Sequence, residues 1–221
     1  MATTWVVGSS ASADYATIQD AVEALRSTSV QSGATLTIEV EDGTYSLTQP
    51  LKLNHPDGAR IYFEGNRANP ERVTLSFNGT ESTDGLYLSN GHSLGGFHGF
   101  QLQSDGIATA DGIQIWANAE LNASHLLING WGNTGISISH SSIFFAGTDS
   151  NIELWNNDNH GLHVAYNSHF YGENVHSHDN DGMGANVVWN SSANIASFFA
   201  EDNTSYGVYS GWSSSVYVND S

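Results

Sequence analysis

Four aspartates in the second half of the sequence stand at fixed distances before a glycine. Asp179 and Asp202 each precede a glycine by five residues, and Asp158 and Asp181 each precede one by three residues. If successive segments stack as neighbouring strands about 4.8 Å apart, the two carboxylates of each pair lie one above the other. Repulsion between stacked carboxylates is relieved when one of them is protonated or when a cation binds between them.

Three interpretations of these aspartates follow. Ca²⁺ is the one cofactor that they would hold, bridging the turns through carboxylate and asparagine oxygens. A glycoside hydrolase would use two of them as acid and base, because carboxyl groups roughly 5 to 9.5 Å apart perform that reaction. In the third interpretation they form tight turns and extend into water, a common role of Asp, and no cofactor is required.

Two histidines offer a second kind of site. His176 and His178 are two residues apart, so they share one face of a strand if Val175 points inward. Such a pair predicts a Zn²⁺ or Ni²⁺ site, which needs neutral imidazoles. The alternatives are that the two rings assist the aspartates in catalysis, or that they are ordinary polar surface residues.

Aromatic side chains also recur at one position of the sequence. The fifth residue after each of six regularly spaced glycines is Asn90, Ala117, His140, Tyr166, Trp189 and Trp212. Stacked turns would place the last four rings in one row, which Tyr209, at an outward strand position, would extend. Large flat side chains with a polar edge suit sugar surfaces and protein contacts. The row therefore predicts a ligand-binding surface, with a subunit contact or a filled core corner as alternatives.

The elements that must position these residues are short strands in a repeat. Each glycine of the repeat is followed by an apolar-polar-apolar triplet, the pattern of a strand with one buried face. The repeat recurs every 23 to 27 residues, at Gly85, Gly112, Gly135, Gly161, Gly184 and Gly207. A repeat of this length made of strands indicates a solenoid in which each turn buries its apolar face against the next.

The chain divides into three segments of one continuous domain. Residues 1–33 hold a strand and, over 14–27, an amphipathic helix with Asp14 or Thr17 as N-cap, which we expect to cover the open end of the core. Residues 34–83 form irregular first coils, and residues 84–221 form the regular rungs. The sequence stops partway through a turn without a polar capping segment, so we expect either a piece of a longer protein or an end covered by another chain.

Two further sets of asparagines follow the same repeat. We expect stacked amides that satisfy turn backbone groups, because Asn tolerates the left-handed conformation of tight turns. One set is Asn118, Asn167 and Asn190, and the other is Asn157, Asn180 and Asn203.

Charge and composition exclude several classes of partner. The net charge is −18, and no lysine or arginine follows Arg72. Phosphate binding depends on such cations, so the repeat region is not expected to bind nucleic acid or anionic membranes. There are no cysteines, no apolar run approaches the roughly 20 residues of a membrane span, and the first residues lack a signal-peptide pattern. We therefore expect no membrane insertion.

Two stretches of the sequence resemble a known family. The turn Gly161-Leu-His-Val-Ala-Tyr-Asn-Ser and the N-terminal run Asp14-Tyr-Ala-Thr-Ile-Gln-Asp-Ala-Val are similar to the right-handed parallel β-helix of the pectin-lyase type. The run Leu53-Asn-His-Pro-Asp-Gly-Ala-Arg-Ile resembles β-helical domains of bacteriophage tail fibres and tailspikes. The resemblance implies an all-β fold, a single-stranded right-handed parallel β-helix with an N-terminal capping α-helix.

The resemblance also implies what the chain does. Lyases of this superfamily use an Arg or Lys base and its carbohydrate esterases use an Arg beside an Asp pair, neither of which the repeat region contains. The expected function is therefore structural and adhesive: a homotrimeric tail fibre, on the virion or extracellular, that presents the aromatic row to a polysaccharide or surface glycan. The alternatives are a polygalacturonase-like hydrolase using Asp158, Asp179, Asp181 or Asp202, and a purely structural shaft.

Overall fold

In a computed structural model, which describes residues 2–78, 84–105, 109–147 and 149–219, the chain winds into a solenoid of parallel strands with about 7 turns. One α-helix, α1 (Ile18–Leu25), precedes the regular turns. The strands are β1 (Ala2–Val7), β2 (Thr35–Val40), β3 (Gly43–Leu47), β4 (Leu51–Lys52), β5 (Ile61–Glu64), β6 (Val73–Phe77), β7 (Leu86–Ser89), β8 (Ser93–Ser104), β9 (Ile113–Trp116), β10 (Glu120–Asn129), β11 (Ile136–Ser139), β12 (Ile143–Phe145), β13 (Ile152–Trp155), β14 (Leu162–Val164), β15 (His169–His178), β16 (Ala185–Val187), β17 (Ser192–Glu201), β18 (Val208–Ser210) and β19 (Ser215–Asn219).

The strands form two sheets. A seven-stranded sheet runs in the order β18-β16-β14-β11-β9-β7-β4, and a twelve-stranded sheet has β1-β2-β5-β8-β10-β12-β15-β17-β19 as its main path. Neighbours in both sheets pair in parallel. The all-β solenoid predicted from the glycine repeat is confirmed.

Each regular turn has three faces separated by corners in the left-handed backbone region. Face I is the seven-stranded sheet, and face II and face III are the first and second halves of the long strands β8, β10, β15 and β17. The corner between faces II and III contains Gly99, His125, Asn151, Asn174 and Ser197, and the corner between faces III and I contains Gly130, Asn156, Asp179 and Asp202. Asn, Asp and Gly predominate here because they tolerate positive φ.

The repeating glycines are required by close approach of the backbone. A Cβ atom on Gly85, Gly112, Gly135, Gly161 or Gly184 would lie 2.5 to 2.9 Å from the carbonyl oxygen of the next glycine of the repeat. Contacts this short exclude any other residue unless the turns move apart. The glycines therefore set how tightly face I stacks.

The core is filled by the inward residues of each turn and covered at one end by α1. Thr17 is the N-cap of α1, its hydroxyl accepting from the amide of Asp20, and Ile18, Ala21, Val22 and Leu25 of the helix are buried. The predicted helix is confirmed, although it begins later than residue 14. The solenoid core includes large buried rings at Phe63, Phe97, Phe100, Phe144 and Phe170.

Stacked asparagine side chains hydrogen-bond to one another and to the backbone at the corner between faces III and I. Asn180 Oδ1 accepts from the backbone amide (3.2 Å) and Nδ2 (2.9 Å) of Asn157, while its own Nδ2 donates to Asn203 Oδ1 at 2.9 Å and to the Leu154 carbonyl at 3.1 Å. Asn157 and Asn180 are each 1% exposed. This predicted ladder is confirmed as structural, and in the other predicted set Asn190 donates to Asn167 at 2.7 Å.

Strands from all three predicted segments join the same twelve-stranded sheet, because β1 pairs with β2 and β5 pairs with β8. The segment ends at residues 79–83 and 220–221 lie outside the described residues. Among the described residues, no helix has the length and apolar character needed to cross a membrane.

Replacing Asn180 with Ala should destabilise the solenoid by about 2–4 kcal/mol, because it removes the side-chain oxygen that accepts from the two buried N–H groups of Asn157 and the hydrogen bond from Asn180 Nδ2 to the Leu154 carbonyl. Chemical denaturation measures this loss. The matched control is Asn194→Ala, which removes an exposed amide and should change stability by less than about 0.5 kcal/mol. Equal effects of the two substitutions would contradict the role given to the ladder.

Candidate functional site

Five aromatic side chains form a continuous row along the corner between faces I and II, the aromatic ladder: Trp116, His140, Tyr166, Trp189 and Trp212. Successive ring centroids are 3.7, 4.6, 4.4 and 5.0 Å apart. The Tyr166 and Trp189 rings are inclined by 12°, and the Trp189 and Trp212 rings by 5°. The stacking predicted from the sequence is present, and the binding role of these residues stays a prediction.

The ladder occupies an unusual backbone position. His140, Tyr166, Trp189 and Trp212 have φ between 49° and 57°, and the residue after each is also left-handed. This conformation costs about 1–2 kcal/mol for a residue other than glycine. Each stacked ring pair contributes about 0.5–1.5 kcal/mol beyond its burial, so stacking roughly offsets the backbone cost.

The stack determines which part of each ring a ligand can reach. The ring faces of Tyr166 and Trp189 are turned towards their neighbours in the ladder, yet these side chains remain 42% and 38% exposed. The accessible part is therefore the outer edge of each ring. Trp212 is 62% exposed.

The row differs from the sequence prediction at two points. Ala117 occupies the predicted corner position in its turn, but the ring comes from the preceding residue, Trp116, whose strand position pairs with Ser139. Tyr209 lies in the middle of face I opposite Asn186, and its ring packs 6.1 Å from that of Tyr206. Tyr209 is therefore outside the ladder.

The outward side chains in the middle of face I are polar and mostly uncharged. Strand register stacks them in one column, with a single cation at its N-terminal end: Lys52, Tyr87, Gln114, Ser137, His163, Asn186 and Tyr209. This column carries no carboxylate, although the chain has a net charge of −18. Hydroxyl, amide and imidazole groups therefore border the ladder along one side.

Two histidines of this surface are held neutral. Burial, together with the nearby His163, lowers the pKa of His160 to about 4, and burial lowers the pKa of His163. The Met183 amide donates to His160 Nδ1 at 3.1 Å, so Nε2 of the neutral ring carries the proton. Asn186 lies 3.0 Å from Nε2 and accepts this proton through Oδ1 when its side-chain amide is turned by 180°. Nδ1 of His163 is buried and has no hydrogen-bond partner among the residues that the structure describes.

A pair of carboxyl groups stands at the other border of face I. Asp84 Oδ1 accepts from the Asp111 amide at 3.0 Å, and Asp111 Oδ1 accepts from Asn133 Nδ2 at 2.8 Å and from the Thr134 amide at 3.0 Å. Burial, and secondarily the charge of Asp84, raise the pKa of Asp111 to about 7. Because Asp111 is 4% exposed and fully hydrogen-bonded, its role is to hold the turn.

The four aspartates predicted as catalytic or Ca²⁺-binding residues are all exposed: Asp158, Asp179, Asp181 and Asp202. Asp179 and Asp202 each adopt a φ of 52° at a corner, which explains their residue type. Asp179 accepts from His178 Nδ1 at 2.7 Å. No described cluster of three or more potential metal ligands contains any of the four.

The predicted histidine pair does belong to a cluster. His176 and His178 lie side by side on the outer surface of face III, with ring centroids 4.3 Å apart, and Glu153 of the neighbouring strand pairs with His176. Glu153 Oε1 lies 3.0 Å from His178 Nε2. Burial lowers the pKa of His178, but hydrogen bonds to Asp179 and Glu153 outweigh burial, so the net shift is upward.

The chain matches no protein-family model, no curated protein and no solved structure.

Asp111→Asn should remove a pH dependence of stability. The folded pKa of Asp111 is above its unfolded value of about 3.9, so the folded state binds the extra proton and wild-type stability decreases as pH rises from about 4 to about 7. The loss, on the order of 3 kcal/mol, should be absent from the variant. Thermal unfolding at pH 5 and pH 8 measures it.

The control for this prediction is Asp158→Asn, which changes an exposed carboxylate and should leave the wild-type pH profile intact. Parallel profiles for wild type and Asp111→Asn would show that Asp111 is not the group that titrates.

Proposed function

We propose that this chain is an adhesive solenoid whose face I, bordered by the aromatic ladder, binds a neutral polysaccharide or surface glycan. The observation that carries the proposal is the combination of five rings in one exposed row with an adjoining polar column free of carboxylates. The rest of the chain supplies a rigid support for that surface.

The charge of the chain favours a neutral ligand. At a net charge of −18, the protein repels polyanions such as uronate-rich polysaccharides. His160 and His163 are neutral at physiological pH because burial lowers their pKa values. Beyond Lys52 at its N-terminal end, the outward column of face I therefore offers hydroxyl, amide and imidazole groups to the hydroxyl groups of a sugar and has no cation that would select an acidic sugar.

The spacing of the turns favours a linear ligand that lies along the solenoid axis. Neighbouring strands are about 4.8 Å apart, which is close to the length of one sugar unit in an extended chain. Such a ligand would meet ladder edges on one side and Gln114, His163 or Asn186 beneath it at successive turns.

A flat surface of this kind binds weakly at each unit, so useful affinity depends on repetition. Linking several copies raises avidity by about 10² to 10⁴ without new contacts. The resemblance to bacteriophage tail fibres and tailspikes supports a homotrimer on the virion or in the extracellular medium as the form in which the surface works. We include that assembly and location in the proposal.

The hydrolase alternative has less support. A glycosidase acid needs a carboxyl group with a raised pKa close to a second carboxylate and open to substrate. Asp158, Asp179, Asp181 and Asp202 are exposed, and the raised-pKa carboxyl, Asp111, is buried and engaged in turn hydrogen bonds. A purely structural shaft remains the outcome if no glycan binds.

Replacing Trp189 and Trp212 together with Asn should abolish glycan binding while the fold is retained. Asn suits both left-handed positions, so the relieved backbone cost of about 1 kcal/mol per site should offset most of the lost stacking. A glycan array read with a multivalent form of the protein measures binding, and thermal unfolding monitors the fold.

The matched control is Phe145→Ala, which removes an exposed ring from β12 in the twelve-stranded sheet and should leave binding unchanged. Binding that survives loss of both tryptophans, or that is lost only in the Phe145 variant, would exclude face I as the adhesive surface. An array on which wild type binds nothing would leave the shaft interpretation.

A further inference from the structure

We propose that Glu153, His176 and His178 form a binding site for Zn²⁺, or a similar divalent transition metal, on the outer surface of face III. One potential ligand atom from each of the three side chains lies within 4.8 Å of the other two. The site is remote from the aromatic ladder, and its existence is independent of glycan binding.

The three side chains are held by strands in fixed register. Glu153 of β13 pairs with His176 of β15, and His178 follows two residues later on the same strand, so all three project from one face. Each of the three side chains is only partly exposed, so neighbouring side chains restrict its rotation. Sites supported by strands keep their geometry better than sites on loops.

The present spacing is close to what a metal requires. Glu153 Oε1 and His178 Nε2 are 3.0 Å apart, whereas ligand atoms about 2.0–2.2 Å from a tetrahedral Zn²⁺ are about 3.3 Å from each other. Small side-chain rotations therefore convert this hydrogen-bonded pair into a pair of ligands. His176, whose ring centroid is 4.3 Å from that of His178, supplies the third ligand.

Two carboxylates are placed to orient the imidazoles. Asp179 Oδ2 lies 2.7 Å from His178 Nδ1, which fixes the tautomer that leaves Nε2 free as a ligand. Glu201 Oε1 lies 2.9 Å from His176 Nε2. Metal-binding histidines commonly have such a carboxylate on the second nitrogen, and it raises their basicity as ligands. Asp179 is thus a positioning residue, although the sequence suggested a ligand or an acid.

The donor set selects the class of metal. Two imidazoles and one carboxylate suit Zn²⁺ and its neighbours, while Ca²⁺ prefers oxygen ligands alone. Three protein ligands leave a fourth tetrahedral position for water. A shallow pocket of about 300 Å³, lined by Leu127, Ile152 and Phe199 among others, adjoins Glu153 and His176 and leaves room for that water.

Titration of the metal-free protein with Zn²⁺ in a calorimeter tests the proposal. We expect one equivalent to bind to wild type, and affinity to fall at least about 100-fold in His178→Ala because a ligand is lost. Asp179→Asn keeps all ligands and should weaken binding about 10- to 100-fold. His169→Ala, which removes another partly exposed histidine of β15, is the matched control and should bind as wild type does.

Co²⁺ supplies a readout that does not depend on any variant. The Co²⁺-loaded wild type should show the intense visible absorption of a four-coordinate site, and Zn²⁺ should displace that signal at one equivalent. Absence of binding to wild type, binding that His178→Ala does not weaken, or equal loss in His169→Ala would overturn the proposal. So would a weak, octahedral Co²⁺ spectrum, which indicates adventitious surface binding.

Discussion

The backbone hydrogen bonds between successive turns are the constraint on which the rest of this structure depends. Parallel pairing places each residue directly over its equivalent in the next turn, so a residue type that repeats in the sequence becomes a line on the molecule. Buried asparagine side chains hydrogen-bond to one another along one corner. Serine hydroxyls accept from backbone amides along another corner, where Ser168 Oγ accepts from the Ser142 amide at 3.2 Å.

The left-handed corners determine which residues can appear where the chain changes face. Two of the three corners use mainly Gly, Asn and Asp, which adopt this conformation at little cost. The third carries Tyr166, Trp189 and Trp212, residues for which the conformation is unfavourable. Because ring stacking compensates for this cost only when neighbouring turns also carry rings, the ladder forms as a unit, and it exposes ring edges in place of faces.

The sequence predicted the columns well, but not every contact between columns. The parallel solenoid, the capping helix, the buried asparagine ladder and the stacking of Tyr166 with Trp189 all follow from counting residues from the repeating glycines. Trp116 was missed because its ring reaches the ladder from one residue before the corner. Asp84 and Asp111 each precede a repeating glycine and so share a column, but the prediction considered only the acidic turns further along.

Contacts that cross from one column to another were harder to anticipate. Glu153 meets His178 diagonally, two residues along the strand and one turn away, so no repeat in the sequence marks the pair. Asp179 illustrates the same difficulty, since its column explains its backbone conformation while its side chain bonds to an adjacent histidine. Pairing of side chains at neighbouring positions depends on rotamers, which a periodic pattern does not specify.

The unequal lengths of the turns have a consequence for how such a protein can change. A longer segment separates Phe145 from Ile152 than separates their partners Tyr171 and Val175, yet the strands on both sides stay in register. Surplus residues are thus absorbed outside the pairing, and duplication or deletion of a whole turn would preserve every column. The solenoid can therefore lengthen or shorten by complete turns while the spacing between neighbouring turns stays constant.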